Sequence, residues 1–142
     1  MPERPPGGIT ALCIFFAAGA VISFTACLSL LFPGSFLEPM WQLNPRAHEA
    51  FASMGRWAAA VLAPVSAACA LASAGLVRRA PWGRRLAIVV LAINLTGDIA
   101  NTLLGTDRRA IIGVPIALAL IVYLLGARVR AWFQQERPEE PV

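Results

Sequence analysis

An uninterrupted apolar run from Ile9 to Phe32 constrains this chain more than any other feature. The run contains no charged side chain. Roughly 17–25 helical residues cross a hydrocarbon core of about 30 Å, so the run is long enough for one complete crossing. It is also longer than the apolar core of a removable signal peptide. We therefore expect a retained membrane helix.

Three further apolar segments have the length of a crossing: Trp57–Val77, Leu86–Leu104 and Ala110–Ala127. Because lipid offers no partner for backbone N–H and C=O groups, a crossing segment of this kind must form a helix. The sequence therefore predicts an all-α fold, an integral membrane four-helix bundle that makes one membrane domain of residues 1–142.

The composition agrees with a membrane protein. Hydrophobic residues make up 58% of the chain and charged residues only 14%, against about 25% charged residues in soluble domains. So few charges cannot cover a water-facing surface, which excludes a soluble enzyme and a soluble nucleic-acid binder. The lipid bilayer is the first expected partner, and we expect no nucleic acid.

The arginines predict an orientation. With four crossings, both termini and the turn between the second and third spans lie on one side of the membrane. That side carries eight of the 12 basic residues, and the other side carries the remaining four. Cations concentrate on the cytoplasmic side. We expect a multi-pass protein of a cell inner membrane with both termini in the cytoplasm.

The segment 33–56, between the first two spans, is predicted to contain a short interfacial helix. Asn44 is a favourable N-cap, and Pro45 suits a first helical turn. A helix over Arg46–Met54 would then end near Gly55. Since the segment is rich in apolar side chains, it can rest on lipid headgroups.

Two interpretations of this segment remain open. In one, it merely connects two spans. In the other, it forms a lid over an outward-facing cavity, with His48 and Glu49 as polar contacts. At the far end of the chain, the segment 128–142 is predicted to extend the fourth helix as a cytoplasmic tail, where Arg128 and Arg130 can meet lipid phosphate.

The third span contains the polar residues Asn94, Asp98 and Asn101. Their spacing, i, i+4 and i+7, places them on one face of a helix. A carboxylate at the bilayer centre costs about 2.5–3.5 kcal/mol, so it usually faces the protein interior. Either these residues hold neighbouring helices together, or they line a pocket that binds a ligand or a proton.

The sequence contains no pattern typical of a cofactor or a metal. The three cysteines form no C-x-x-C motif, and there is one histidine in the chain, so neither a redox pair nor a zinc ligand set is expected. Motifs of phosphate loops and hydrolases are missing too. We predict no catalytic residue, no metal ligand and no cofactor.

Three segments look family-defining: Trp41–His48, Trp82–Arg85 and Asn94–Asn101. With its four spans, the chain resembles the small four-helix bacterial inner-membrane proteins, DoxX-like ones among them. The likeness is one of plan, so it implies a four-helix membrane fold and assigns no activity and no site residue.

The first functional expectation is a non-enzymatic membrane protein. It is either an accessory subunit of a larger membrane complex, or a binder of a small apolar or lipid-like molecule in an outer-half pocket near Asp98. A homo-oligomer and a hetero-oligomer both stay open. One alternative is a small oligomeric proton-coupled transporter in which Asp98 titrates. Another is a membrane enzyme acting on a lipid or sterol-type substrate, with His48, Glu49 and Asp98 as acid–base groups.

Overall fold

A computed structural model of the chain describes residues 6–105 and 110–134. Within those ranges every regular element is helical, which confirms the predicted all-α class. The helices are α1 (Gly7–Leu31), a 3-10 helix (Glu38–Leu43), α2 (Pro45–Met54), α3 (Arg56–Val77), α4 (Pro81–Leu103), α5 (Ala110–Leu125) and α6 (Ala127–Gln134).

Several of these helices could cross a membrane. Helices α1, α3 and α4 are each long and apolar enough to do so. A fourth candidate consists of Ile111–Leu125 together with Ala127–Gln134, which are bent by 52° at their junction. Residues 6–105 and 110–134 therefore contain three membrane-spanning candidates, or four if the bent pair makes one span.

The chain divides into two compact units. One consists of Ile14–Leu71, and we refer to it as the loop unit. The other consists of Met1–Cys13 and Ala72–Val142, and we refer to it as the terminal unit. Helices α1 and α3 each contribute residues to both units.

The core of the loop unit joins α1, α3 and the connecting segment. One buried cluster of this core consists of Ala26, Cys27, Trp41 and Leu62. The hydroxyl of Ser66 on α3 donates a hydrogen bond of 2.9 Å to the carbonyl of Ala20 on α1. Small side chains and hydroxyl-to-carbonyl bonds of this type are how helices associate where lipid removes the hydrophobic driving force.

The terminal unit is built on the same principle. The Ser73 hydroxyl on α3 donates to the Cys13 carbonyl on α1 at 2.9 Å. Where α3 meets α4, a Cβ added to Gly75 would lie 2.5 Å from the Cα of Gly83. Only two glycines permit so close a backbone approach. In the same unit α4 packs along α5.

Helix α4 begins earlier than the apolar pattern indicates. We predicted a span from Leu86, with Trp82–Arg85 in the preceding turn, but the helix starts at Pro81. Proline suits the first helical position because its missing N–H has no intrahelical partner there. The apolar run therefore marks only part of the helix, since a helix can continue into a polar segment.

The short helix predicted between the first two spans is present as α2 (Pro45–Met54), and its interfacial position stays a prediction. The Asn44 side chain accepts a hydrogen bond from the Ala47 N–H at 3.2 Å, and the helix starts at Pro45. It stops before Gly55, whose φ of 56° lies in the left-handed region that favours glycine at helix ends.

The chain stays helical beyond the predicted fourth span, but with a bend. Helix α5 ends at Leu125, and α6 departs from it after Gly126 with a 52° bend. The bend lets α6 bury Val129, Trp132 and Phe133. The predicted tail continues past Gln134, and that part lies outside the described residues, as do residues 1–5 and 106–109.

Candidate functional site

Asp98 is half-buried, and it forms two hydrogen bonds with residues of its own helix, α4. The side-chain amide of Asn94 donates to the Asp98 carboxylate at 3.3 Å, as the i, i+4 spacing allows. The Thr102 hydroxyl donates to the Asp98 backbone carbonyl at 2.7 Å. These bonds orient the carboxylate and the last turns of α4.

The Asp98 carboxylate reaches the backbone of α5. A Cβ added at Gly113 would overlap the Oδ2 atom of Asp98, so the carboxylate occupies space that any larger residue would fill. This close approach makes Asp98 part of the packing between α4 and α5. Sequence periodicity could not find Gly113, since the period within one helix says nothing about its neighbour.

Asn94 and Asn101 lie beside the packed face of α4, and both are exposed. Gly97 lies between them, and nothing lies within 4 Å of a Cβ built on it. In a helix, positions i, i+3 and i+7 share one side. Asn94, Gly97 and Asn101 therefore form an open polar surface, which we term the amide flank.

His48 and Glu49 belong to the loop unit, whereas Asn94, Asp98 and Asn101 belong to the terminal unit. The His48 ring stacks on Trp41, with the ring centroids 4.8 Å apart and the planes inclined by 17°. Glu49 is exposed. Stacking gives His48 a packing role in the connecting segment.

Trp41 anchors that segment through a partner that no sequence pattern indicates. Its indole N–H donates to the Ser29 hydroxyl on α1 at 2.8 Å, and that hydroxyl donates to the Ala26 carbonyl at 2.9 Å. Both Trp41 and Ser29 are buried. This chain of bonds attaches the 3-10 helix to the end of α1.

A shallow cavity of about 380 Å³ opens at the start of the connecting segment. Its lining residues are Gly34, Ser35, Phe36, Glu38, Pro39 and Gln42. Neither His48 nor Glu49 lines it. The lid interpretation of the segment stays a prediction.

The part of the chain that the structure describes contains no cluster of side chains suited to binding a metal ion. No group of three His, Cys, Asp or Glu side chains there could hold a metal ion. Cys13, Cys27 and Cys69 are free thiols. What the described residues assemble is therefore a set of polar contacts between helices, together with the amide flank.

No family model, curated protein or solved structure matches the chain. The likeness to the DoxX-like proteins stays one of plan, and it transfers no role to any residue.

Proposed function

We propose that this chain is a non-enzymatic multi-pass membrane protein that acts as a subunit of a membrane assembly. Its pairing surface is the amide flank of α4, made of Asn94, Gly97 and Asn101. The single observation that carries this proposal is the exposure of two amide side chains on a helix that could cross a membrane.

The solvent around α4 makes that exposure costly. In the 18-residue apolar stretch of α4 that could cross a membrane, only 11% of the residues are buried within the chain. Asn94 already donates one N–H to the Asp98 carboxylate at 3.3 Å, so the groups that need a partner are the rest of the Asn94 amide and the Asn101 amide. A polar group left without a hydrogen bond in an apolar solvent costs roughly 2–7 kcal/mol. A helix from another subunit would relieve this cost, since polar contacts between membrane helices contribute about 0.6–2 kcal/mol each.

The chemistry of the flank favours a second copy of this chain as the partner. An asparagine amide both donates and accepts hydrogen bonds, so it can pair with another asparagine. Self-complementary surfaces of this kind form two-fold interfaces, the commonest arrangement in oligomers. Gly97, which has open space around it, would let the two helices approach closely.

The contacts of the other candidate residues support this assignment over the alternatives. The approach of Asp98 to Gly113 favours a packing role over the titrating role that a transporter needs. The stacking of His48 on Trp41 favours an anchoring role over acid–base catalysis. A small apolar or lipid-like ligand near Asp98 has no comparable observation in its favour.

We place the chain in a cell inner membrane with both termini in the cytoplasm. The support is the distribution of arginine: with four crossings, eight lie on the side of the termini and four on the other side. Basic residues concentrate on the cytoplasmic side of membrane proteins.

The test is the oligomeric state of the full chain in a mild detergent. We expect light scattering and native mass spectrometry to find a dimer or a larger oligomer. Changing Asn94→Leu and Asn101→Leu together should raise the dissociation constant about tenfold or more, because two interhelical contacts are lost.

Thr96→Leu is the matched control. Thr96 is also exposed on α4, but its hydroxyl bonds to the carbonyl of Ala92 in the same helix at 2.9 Å, and it lies away from the flank. The proposal is wrong if the wild-type chain is a lone monomer, or if Thr96→Leu weakens the oligomer as much as the double variant. If a different protein co-purifies with the wild-type chain and is lost only from the double variant, the amide flank is still the pairing surface, but its partner is that protein and not a second copy of this chain.

A further inference from the structure

One end of the terminal unit is rich in arginine. The described residues of the whole unit contain six arginines and a single acidic residue, Asp98. We refer to the six as the arginine collar: Arg78, Arg79, Arg84, Arg85, Arg128 and Arg130. They come from the α3–α4 turn, the start of α4, and α6.

Arg79 joins the turn to α6. Its guanidinium lies over the Trp132 ring, 4.6 Å from the centroid, a distance typical of a cation–π contact. Its φ is 56°, and the bonds from the Arg79 N–H to the Leu76 carbonyl and from the Ala80 N–H to the Gly75 carbonyl form a Schellman motif. Glycine suits that position best, so Arg79 closes this turn in a backbone conformation that side chains rarely adopt.

Arg84 joins α4 to α5. One of its guanidinium nitrogens donates to the Leu124 carbonyl at 3.1 Å, in the last turn of α5, where carbonyls lack intrahelical partners. Arg79 and Arg84 thus fix the geometry of the collar from within the unit.

The other four arginines are exposed on this framework: Arg78, Arg85, Arg128 and Arg130. Helix α6 presents two of them while its apolar residues Val129, Trp132 and Phe133 are buried. The cations are therefore held on packed helices and on a closed turn.

We propose that the arginine collar binds the phosphate groups of anionic glycerophospholipids. Arginine matches the geometry of a phosphate with two parallel hydrogen bonds. The collar is continuous with α3, α4 and α5, whose apolar surfaces face lipid if they cross the membrane, so headgroups would lie beside it. A negative headgroup complements the exposed cations of the collar better than a zwitterionic one does. This binding does not depend on the amide flank.

Thermal unfolding of the full chain in detergent tests the proposal. Phosphatidylglycerol added to the micelles should raise the midpoint by about 4 °C more than the same amount of phosphatidylcholine, because a ligand that binds the folded state stabilises it. Raising the ionic strength to about 0.5 M should reduce this difference. Changing Arg128→Gln and Arg130→Gln together should remove at least half of it.

Arg46→Gln with Arg56→Gln is the matched control, since it removes the same charge from exposed positions in the loop unit. It should keep the full difference between the lipids. If the α6 variant does not fold, Arg78→Gln with Arg85→Gln takes its place. The proposal is overturned if both lipids act equally, if the control loses as much as the collar variant, or if inorganic phosphate at the same concentration reproduces the effect.

Discussion

Gly113 provides the space in which the Asp98 carboxylate approaches α5. A methyl group at this position would overlap the carboxylate oxygen. In a packed helix pair such an overlap forces side chains or backbone to shift, at a cost of typically 1–3 kcal/mol. The Asp98 carboxylate can therefore approach α5 only because Gly113 has no side chain.

Gly113→Ala should therefore lower the free energy of unfolding by about 1–3 kcal/mol, measured by denaturant titration in detergent. Adding Asp98→Ala to this variant should recover part of the loss, because the overlapping group is removed. Gly7→Ala is the control, since nothing lies within 4 Å of a Cβ at Gly7. Equal losses in the two single variants would contradict the assigned contact.

Asp98 shows how far sequence reasoning reaches at the scale of a residue. The cost of a carboxylate among apolar residues singled it out together with Asn94 and Asn101. Its orientation toward α5 could not be predicted, because that depends on which helix packs against α4. The bond from Asn94 follows from spacing alone, whereas the approach to Gly113 does not.

At the scale of elements, the connecting segment is held by Trp41. Its indole N–H and the Ser29 hydroxyl join the 3-10 helix to α1 at 2.8 Å. Because both groups are buried, removing the Ser29 hydroxyl leaves the indole N–H of Trp41 without its hydrogen bond, at a cost of about 1–3 kcal/mol.

Ser29→Ala should lower the free energy of unfolding by about 1–3 kcal/mol, whereas the same change made in a Trp41→Phe background should cost less by about 1 kcal/mol. This double-mutant cycle isolates the bond. Ser53→Ala is the control, since the exposed Ser53 hydroxyl bonds only to the carbonyl of Ala50 within α2. Additive losses would show that Trp41 and Ser29 do not depend on each other.

Element boundaries were predictable where their causes are local. Asn44 and Gly55 bound α2 through a cap and a left-handed end, and both are visible in the sequence. The start of α4 at Pro81 was missed, because hydropathy reports the lipid boundary rather than the helix end. The bend at Gly126 follows from the burial of Trp132 and Phe133, which the apolar pattern does not specify.

For the whole molecule, the number of membrane crossings determines which side of the membrane each segment faces. Three helices could cross a membrane individually, and the fourth candidate is the bent pair that ends at Gln134. Four crossings place Gln134 on the same side as the N-terminus, and three place it on the opposite side. The predicted excess of arginine on one side requires four.

Labelling of single cysteines with a membrane-impermeant maleimide on intact cells measures this most directly. The native Cys13, Cys27 and Cys69 are first replaced by alanine, and Ser53→Cys or Gln134→Cys is then introduced at an exposed position. We predict that Ser53→Cys is labelled on intact cells and that Gln134→Cys is labelled only after permeabilisation. Labelling of Gln134→Cys on intact cells to the same extent as Ser53→Cys would contradict four crossings.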